Sequence, residues 1–190
     1  TDYVPVDMYH TCAWITFLVV GDEVTGSSAN PYTITSLKMT GVDQTATVEC
    51  SNLTTPKIVW KANGDKTGTA ADYAVTLKNG SIDLTEDAKD VETDEVYDDE
   101  NFVATSTSNI VVIPQVPGNI TITYSYTSPA GEPITEVVPK ADQPALSLKI
   151  SDVAADNFWQ PGVHYIYTIN IGAEEILIAP KPVDWTDDSN

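Results

Sequence analysis

Residues 118–127 alternate without a slip: Ile120, Ile122, Tyr124 and Tyr126 are apolar, while Thr121, Thr123, Ser125 and Thr127 carry hydroxyls. A period of two sends successive side chains to opposite faces of a β-strand, so this stretch has one dry face and one wet face. The pattern returns at Leu146, Leu148 and Ile150, set against Ser147, Lys149 and Ser151. It returns again at Val163, Tyr165, Tyr167 and Ile169, directly after the turn dipeptide Pro161-Gly162. Near the start the phase changes. Val6, Met8, His10 and Cys12 share one parity, and Ala13, Ile15, Phe17 and Val19 take the other. A β-bulge near residues 12–14 accounts for such a slip.

Weaker alternations mark strands at 33–39, 46–50, 58–61, 73–77, 110–114, 134–138 and 175–179, and no segment makes a convincing helix. The expectation is an all-β, antiparallel β-sandwich of two packed sheets, with residues 1–190 forming a single domain. Hydrophobic residues at 42% are too many for global disorder. The longest irregular segment is 81–101, where ten of the eighteen residues from Asp83 to Glu100 are acidic. Self-repulsion and few apolar residues predict a long, exposed acidic loop there.

Nine basic residues against 28 acidic ones leave a net charge of −19. That field repels phosphate backbones and anionic lipid, which argues against nucleic acid as a partner and against membrane-surface binding. Every basic residue is Lys, so the bidentate grip of Arg on phosphate or carboxylate is missing. No apolar run reaches membrane-spanning length.

Catalytic chemistry finds little to work with. His10 and His164 have no partners at metal-ligand spacing, and there is no Gly-x-Ser-x-Gly elbow, phosphate-binding glycine loop or Cys-x-x-Cys. His10 shares the apolar parity of its strand and reads as a core histidine; His164 takes the polar parity and reads as exposed. The acidic loop lacks the residue order that wraps a chain round Ca²⁺. No cofactor, metal or catalytic residue is expected. Cys12 and Cys50 read as two buried thiols, with a single disulfide as the alternative. Trp14, Trp60, Trp159 and Trp185 read as caps on the core; exposed aromatic rings would instead suit sugar stacking, which keeps a stand-alone carbohydrate-binding module as the second functional reading.

Three stretches, in order, resemble the fimbrillin-like proteins of Bacteroides-type bacteria, whose polymers are called type V pili. The first is Val4-Pro-Val-Asp-Met-Tyr-His-Thr-Cys-Ala-Trp-Ile-Thr-Phe17, followed by Ile34-Thr-Ser-Leu-Lys-Met-Thr-Gly41. The second is Ile110-Val-Val-Ile-Pro-Gln115 leading into the Ile120 strand. The third is Phe158-Trp-Gln-Pro-Gly-Val-His-Tyr-Ile-Tyr-Thr-Ile169, followed by Val183-Asp-Trp185.

The resemblance implies a transthyretin-like sandwich matching the C-terminal domain of such subunits, with the N-terminal domain absent from this chain. It implies a non-enzymatic structural or adhesive role in a surface fimbria, outside the outer membrane and reached through the periplasm. Partners would be other fimbrial subunits, with host or bacterial surface glycans or proteins as ligands. In such pili a C-terminal strand of one subunit completes a sandwich of the next. Here that donor role would fall to Ile176, Leu177, Ile178, Val183 and Trp185. Ile176 and Ile178 alternate with Leu177 and Ala179, so the strand suits burial on both faces; Pro180 and Pro182 are expected to deny it a regular ladder and let it swing.

Overall fold

The computed structural model describes residues 10–21, 26–27, 30–50, 58–61, 70–77, 80–84, 110–148, 157–171 and 176–184, and among them there is no α-helix. Their strands are β1 (Ala13–Gly21), β2 (Gly26–Ser27), β3 (Asn30–Asp43), β4 (Thr47–Cys50), β5 (Ile58–Lys61), β6 (Ala70–Ala74), β7 (Ile82–Leu84), β8 (Ile110–Val112), β9 (Asn119–Thr127), β10 (Pro133–Val138), β11 (Leu146–Ser147), β12 (Val163–Ile171) and β13 (Ile176–Asp184). One sheet has the order β13-β12-β1-β8. The larger sheet follows β10-β9-β3-β2, with β11 on β9 and both β6 and β7 on β3; β4 and β5 pair with each other.

The two main sheets close over one core, as the alternations require. Ala13, Ile15, Phe17 and Val19 of β1 and Tyr165, Tyr167, Ile169 and Ile171 of β12 line it from the smaller sheet. Ile34, Leu37, Met39 and Val42 of β3 and Ile120, Ile122 and Tyr124 of β9 line it from the larger. Along β3 the buried positions step by three twice, from Ile34 to Leu37 and from Met39 to Val42. Each step coincides with a register shift: against β9 between Ile34 and Ser36, and against β6 between Met39 and Val42. An extra residue at each shift restores the inward phase of a long strand. Gly41 sits in the second shift with φ of 71°, a backbone shape that side-chain-bearing residues seldom adopt.

Three expectations change. The strands are mostly antiparallel, but β1 and β12 run parallel from Trp14↔His164 to Gly21↔Ile171. Their first residues are held together at the turn: Gly162, with φ of 73°, donates its N–H to the Cys12 carbonyl at 2.9 Å. Residue 12 is a bend and β1 starts at Ala13, so the change of parity marks the start of a strand; residues 1–9 lie outside the described residues. The segment expected to be irregular from 81 onward opens with β7. Ile82 and Leu84 are in the core and Asp83 points out, accepting a 2.7 Å hydrogen bond from the Thr33 hydroxyl. Two apolar residues around one acid are too short an alternation to stand out beside an acidic run. The remainder of the acidic stretch, 85–109, lies outside the described residues.

Gly118 precedes β9 where β3 passes closest. A Cβ there would run into the backbone carbonyl oxygen of Thr40 and come within 3.1 Å of a Val42 methyl. Gly118→Ala should therefore destabilise the fold by about 1–3 kcal/mol, because a ladder carbonyl cannot yield as a flexible side chain would. Urea unfolding with a midpoint unchanged from the parent would show that β3 and β9 separate freely at this point.

Candidate functional site

The residues proposed for strand exchange lie where the fold leaves a sheet edge. Ile176, Leu177, Ile178 and Val183 all belong to β13, the terminal strand of the smaller sheet, and Trp185 lies outside the described residues. β13 turns back on β12 and pairs with it continuously, from Ile171↔Ile176 to Val163↔Asp184. The expected interruption at the prolines does not occur: Pro180 pairs opposite Tyr167 and Pro182 opposite Tyr165. A strand can hold two prolines in an antiparallel ladder when both fall at pairs that exchange no hydrogen bonds, because their nitrogens then face away from the neighbour. Spacing by two residues satisfies that condition for both at once.

Behind β13, the strand it pairs with is anchored by aromatic residues. Trp159 is fully buried, its indole N–H donates to the Tyr167 hydroxyl at 2.7 Å, and its backbone N–H donates to the Gln115 carbonyl at 2.8 Å. The Tyr165 hydroxyl accepts the Gln160 N–H at 2.9 Å, and the Tyr167 ring lies 5.7 Å from that of Phe17. Burial pushes both tyrosine hydroxyls up from their ordinary range. Gln115, itself completely buried, works as a substitute strand residue at the end of β3: its amide oxygen accepts the Asp43 N–H at 2.8 Å, and its amide nitrogen donates to the carbonyls of Asp43 at 3.0 Å and Ile113 at 3.1 Å. Its one amide thus meets both the backbone N–H and the backbone carbonyl of the buried Asp43.

His164 is not the exposed residue its parity suggests. It is 8% exposed, stacks on Trp14 with ring centres 3.8 Å apart and planes within 6°, and its Nε2 shares a 2.9 Å hydrogen bond with the Thr16 hydroxyl. Thr16 and Leu18 of β1 and Ile166 of β12 are buried on the same outer face. The parallel pair is thus covered on both faces, a common property of parallel strands. The near-continuous apolar run through Ile15, Phe17, Leu18 and Val19 carried that signal. Desolvation of the imidazole lowers its pKa from the ordinary 6.5 to about 4, so His164 is neutral at pH 7. His10 is half-buried and lies ahead of β1.

Cys12 is half-buried with a free thiol, and the side chain of Cys50 lies outside the described residues. Of the tryptophans weighed for sugar stacking, Trp159 is sealed in the core and one face of Trp14 is taken by His164. The side chain of Trp60 is outside the described residues. A second aromatic group, unremarked in the sequence, gathers Tyr32, Tyr124 and Tyr126 on the larger sheet, with Tyr32 and Tyr126 rings 4.6 Å apart. The Tyr124 hydroxyl donates to Glu136 at 2.9 Å, and Lys140 stands 3.6 Å from the same carboxylate. Among the described residues, no three His, Cys, Asp or Glu side chains gather closely enough to hold a metal ion, and no helix is long and apolar enough to cross a membrane.

No model of a known protein family matches this chain, and no curated protein matches it by sequence. Among solved structures it is similar to a fimbrial protein from Bacteroides vulgatus ATCC 8482, at 15% identity and a TM-score of 0.55, over 94% of this chain and 55% of that one. Two candidate cell-adhesion proteins also match at 15% identity. The one from Bacteroides uniformis ATCC 8492 has a TM-score of 0.48 over 94% of this chain and 52% of that one. The one from Bacteroides ovatus ATCC 8483 has a TM-score of 0.36 over 95% and 47%. The chain spans about half the length of the solved structures it matches. Over nearly its whole length this chain is thus similar in fold to a Bacteroides fimbrial protein.

Proposed function

We propose that this chain is a non-enzymatic structural or adhesive module of a bacterial surface fimbria, and that it joins its neighbours by exchanging β13. The observation that carries the reading is the likeness of fold to the Bacteroides vulgatus fimbrial protein across 94% of the chain. The position of β13 supports it further. Among the described residues β13 is held by a ladder to one neighbour, β12, and such an edge strand can leave without tearing the core strands apart. In this reading the chain is one sandwich domain of a larger subunit and works at the cell surface, outside the outer membrane. Its partners are other fimbrial subunits, and its ligands are surface glycans or proteins of a host or another bacterium.

Deleting residues 180–190 tests the exchange. The truncation removes the ladder opposite Val163–Tyr167 and leaves the part opposite Thr168 to Ile171 in place. The expected product is a folded monomer of lowered melting temperature that no longer joins assembly of full-length subunits. Polymer formation at the parental rate, followed by light scattering, would remove β13 as the donor. Outright unfolding by circular dichroism would assign β13 to its own core.

A further inference from the structure

Pro180 and Pro182 set which side of β13 can meet another strand. Along an antiparallel ladder alternate residues turn their N–H and C=O groups to opposite sides. An unbroken ladder from Ile171↔Ile176 to Val163↔Asp184 runs through both prolines. Proline has no N–H, so that ladder forms only if Leu177, Ala179, Lys181 and Val183 hand their backbone groups to β12. Ile176, Ile178, Pro180, Pro182 and Asp184 then turn theirs to the outer edge. On that edge the donors at 180 and 182 are missing, one after the other, in the C-terminal half of the strand. Among the described residues β13 is also the terminal strand of its sheet, where a further strand would otherwise add.

We infer that the outer edge of β13 is closed to strand addition by these two prolines, so that another copy of this chain can meet β13 only by taking the place of β12. This rests on the proposed exchange of β13 and sharpens it. Over residues 180–184 the strand has one fully equipped hydrogen-bonding edge, and at home that edge is spent on β12. Pairing within the chain and pairing with a neighbour therefore compete for the same backbone groups. A subunit with β13 in place is inert at this edge, which prevents unregulated edge-to-edge growth of sheets between folded copies. Over 176–179 the outer donors are intact, but so short a segment makes a poor platform for a stable added strand.

The test restores the donors while blocking exchange. Val163→Cys with Asp184→Cys, in a Cys12→Ser/Cys50→Ser background, joins two directly opposed residues and ties β13 to β12. Into that locked chain Pro180→Thr and Pro182→Thr are introduced together, and Ala179→Thr is made separately as a control that raises strand propensity without adding an outer donor. Sedimentation velocity over a concentration series reads self-association. The expected result is a locked parent and an Ala179→Thr control that stay monomeric. The locked double-threonine chain should form a dimer at least about ten times tighter than any association of the parent, with slowed amide exchange at residues 180 and 182. A double-threonine chain as monomeric as its parent would overturn the inference, as would a locked parent that dimerises with protection of the Ile178 and Asp184 amides. Assembly competence is measured in a separate experiment on the locked parent by itself, with every β13 tied to β12. Assembly that persists there would remove strand exchange, while the edge measurement would read out unchanged.

Discussion

Trp159→Ala should unfold the protein at markedly lower denaturant than the parent, with a loss of about 3–5 kcal/mol from the cavity and the lost burial together. The side chain is completely buried in the core and its indole N–H donates to the Tyr167 hydroxyl at 2.7 Å. Removing it leaves that hydroxyl buried beside a void, and removes the plug from the segment that leads into the Pro161-Gly162 turn. Trp159→Phe separates the two contributions. It keeps most of the ring volume and removes the hydrogen bond, so its cost should be smaller, about 1–3 kcal/mol. Because Tyr167 lies on β12, opposite Pro180 of β13, both variants should also speed amide exchange along β12 and β13. Equal stabilities for Trp159→Ala and the parent in urea would mean that the core closes without this residue.

The second large effect is one of pH. His164 takes up a proton in the unfolded chain from about pH 6.5 downward, whereas in the fold burial holds its pKa down to about 4. The unfolded state therefore binds more protons between these values, and stability must fall as the pH falls through this window. The contribution is fully present above about pH 6.5 and is lost by about pH 4, amounting to at most about 3 kcal/mol. The carboxylates of an acidic chain titrate over part of the same range. The informative quantity is thus the difference between the parent and His164→Gln, measured by urea unfolding at a series of pH values. That difference should be level at neutral pH and shift steadily against the parent on acidification. A difference that stays flat down to pH 4 would show that the stacked, hydrogen-bonded imidazole accepts a proton without penalty.

His164 also shows where reading by alternation stops. On β9 the rule of two is sufficient: Ile120 and Ile122 are fully buried and Thr121 and Thr123 only half-buried, because one face of that strand meets the core. On β12 the same rule assigns Tyr165, Tyr167 and Ile169 correctly and misplaces His164 and Ile166, because the smaller sheet is covered on both faces there. Alternation reports a difference between faces and is blind to a strand whose two faces are both dry. β13 illustrates a second limit. Pro180 and Pro182 look like ladder breakers in isolation, and they become compatible with a ladder once β13 is known to lie at an edge with both nitrogens turned outward.

What the sequence determined by itself is the local part: the all-β class, the inward residues of β1, β9 and β12, and the Pro161-Gly162 turn that starts β12. These follow from the two-residue repeat and from backbone preferences, which act between neighbours along the chain. Only the tertiary structure decided the parallel pairing of β1 with β12, the burial of His164 against Trp14, the plugging of β3 by Gln115, the core strand at the head of the acidic segment, and the edge position of β13. Each of these depends on which distant strand becomes a neighbour. That choice is made by the packing of whole sheets over a shared core, and a repeat of two residues carries no information about it.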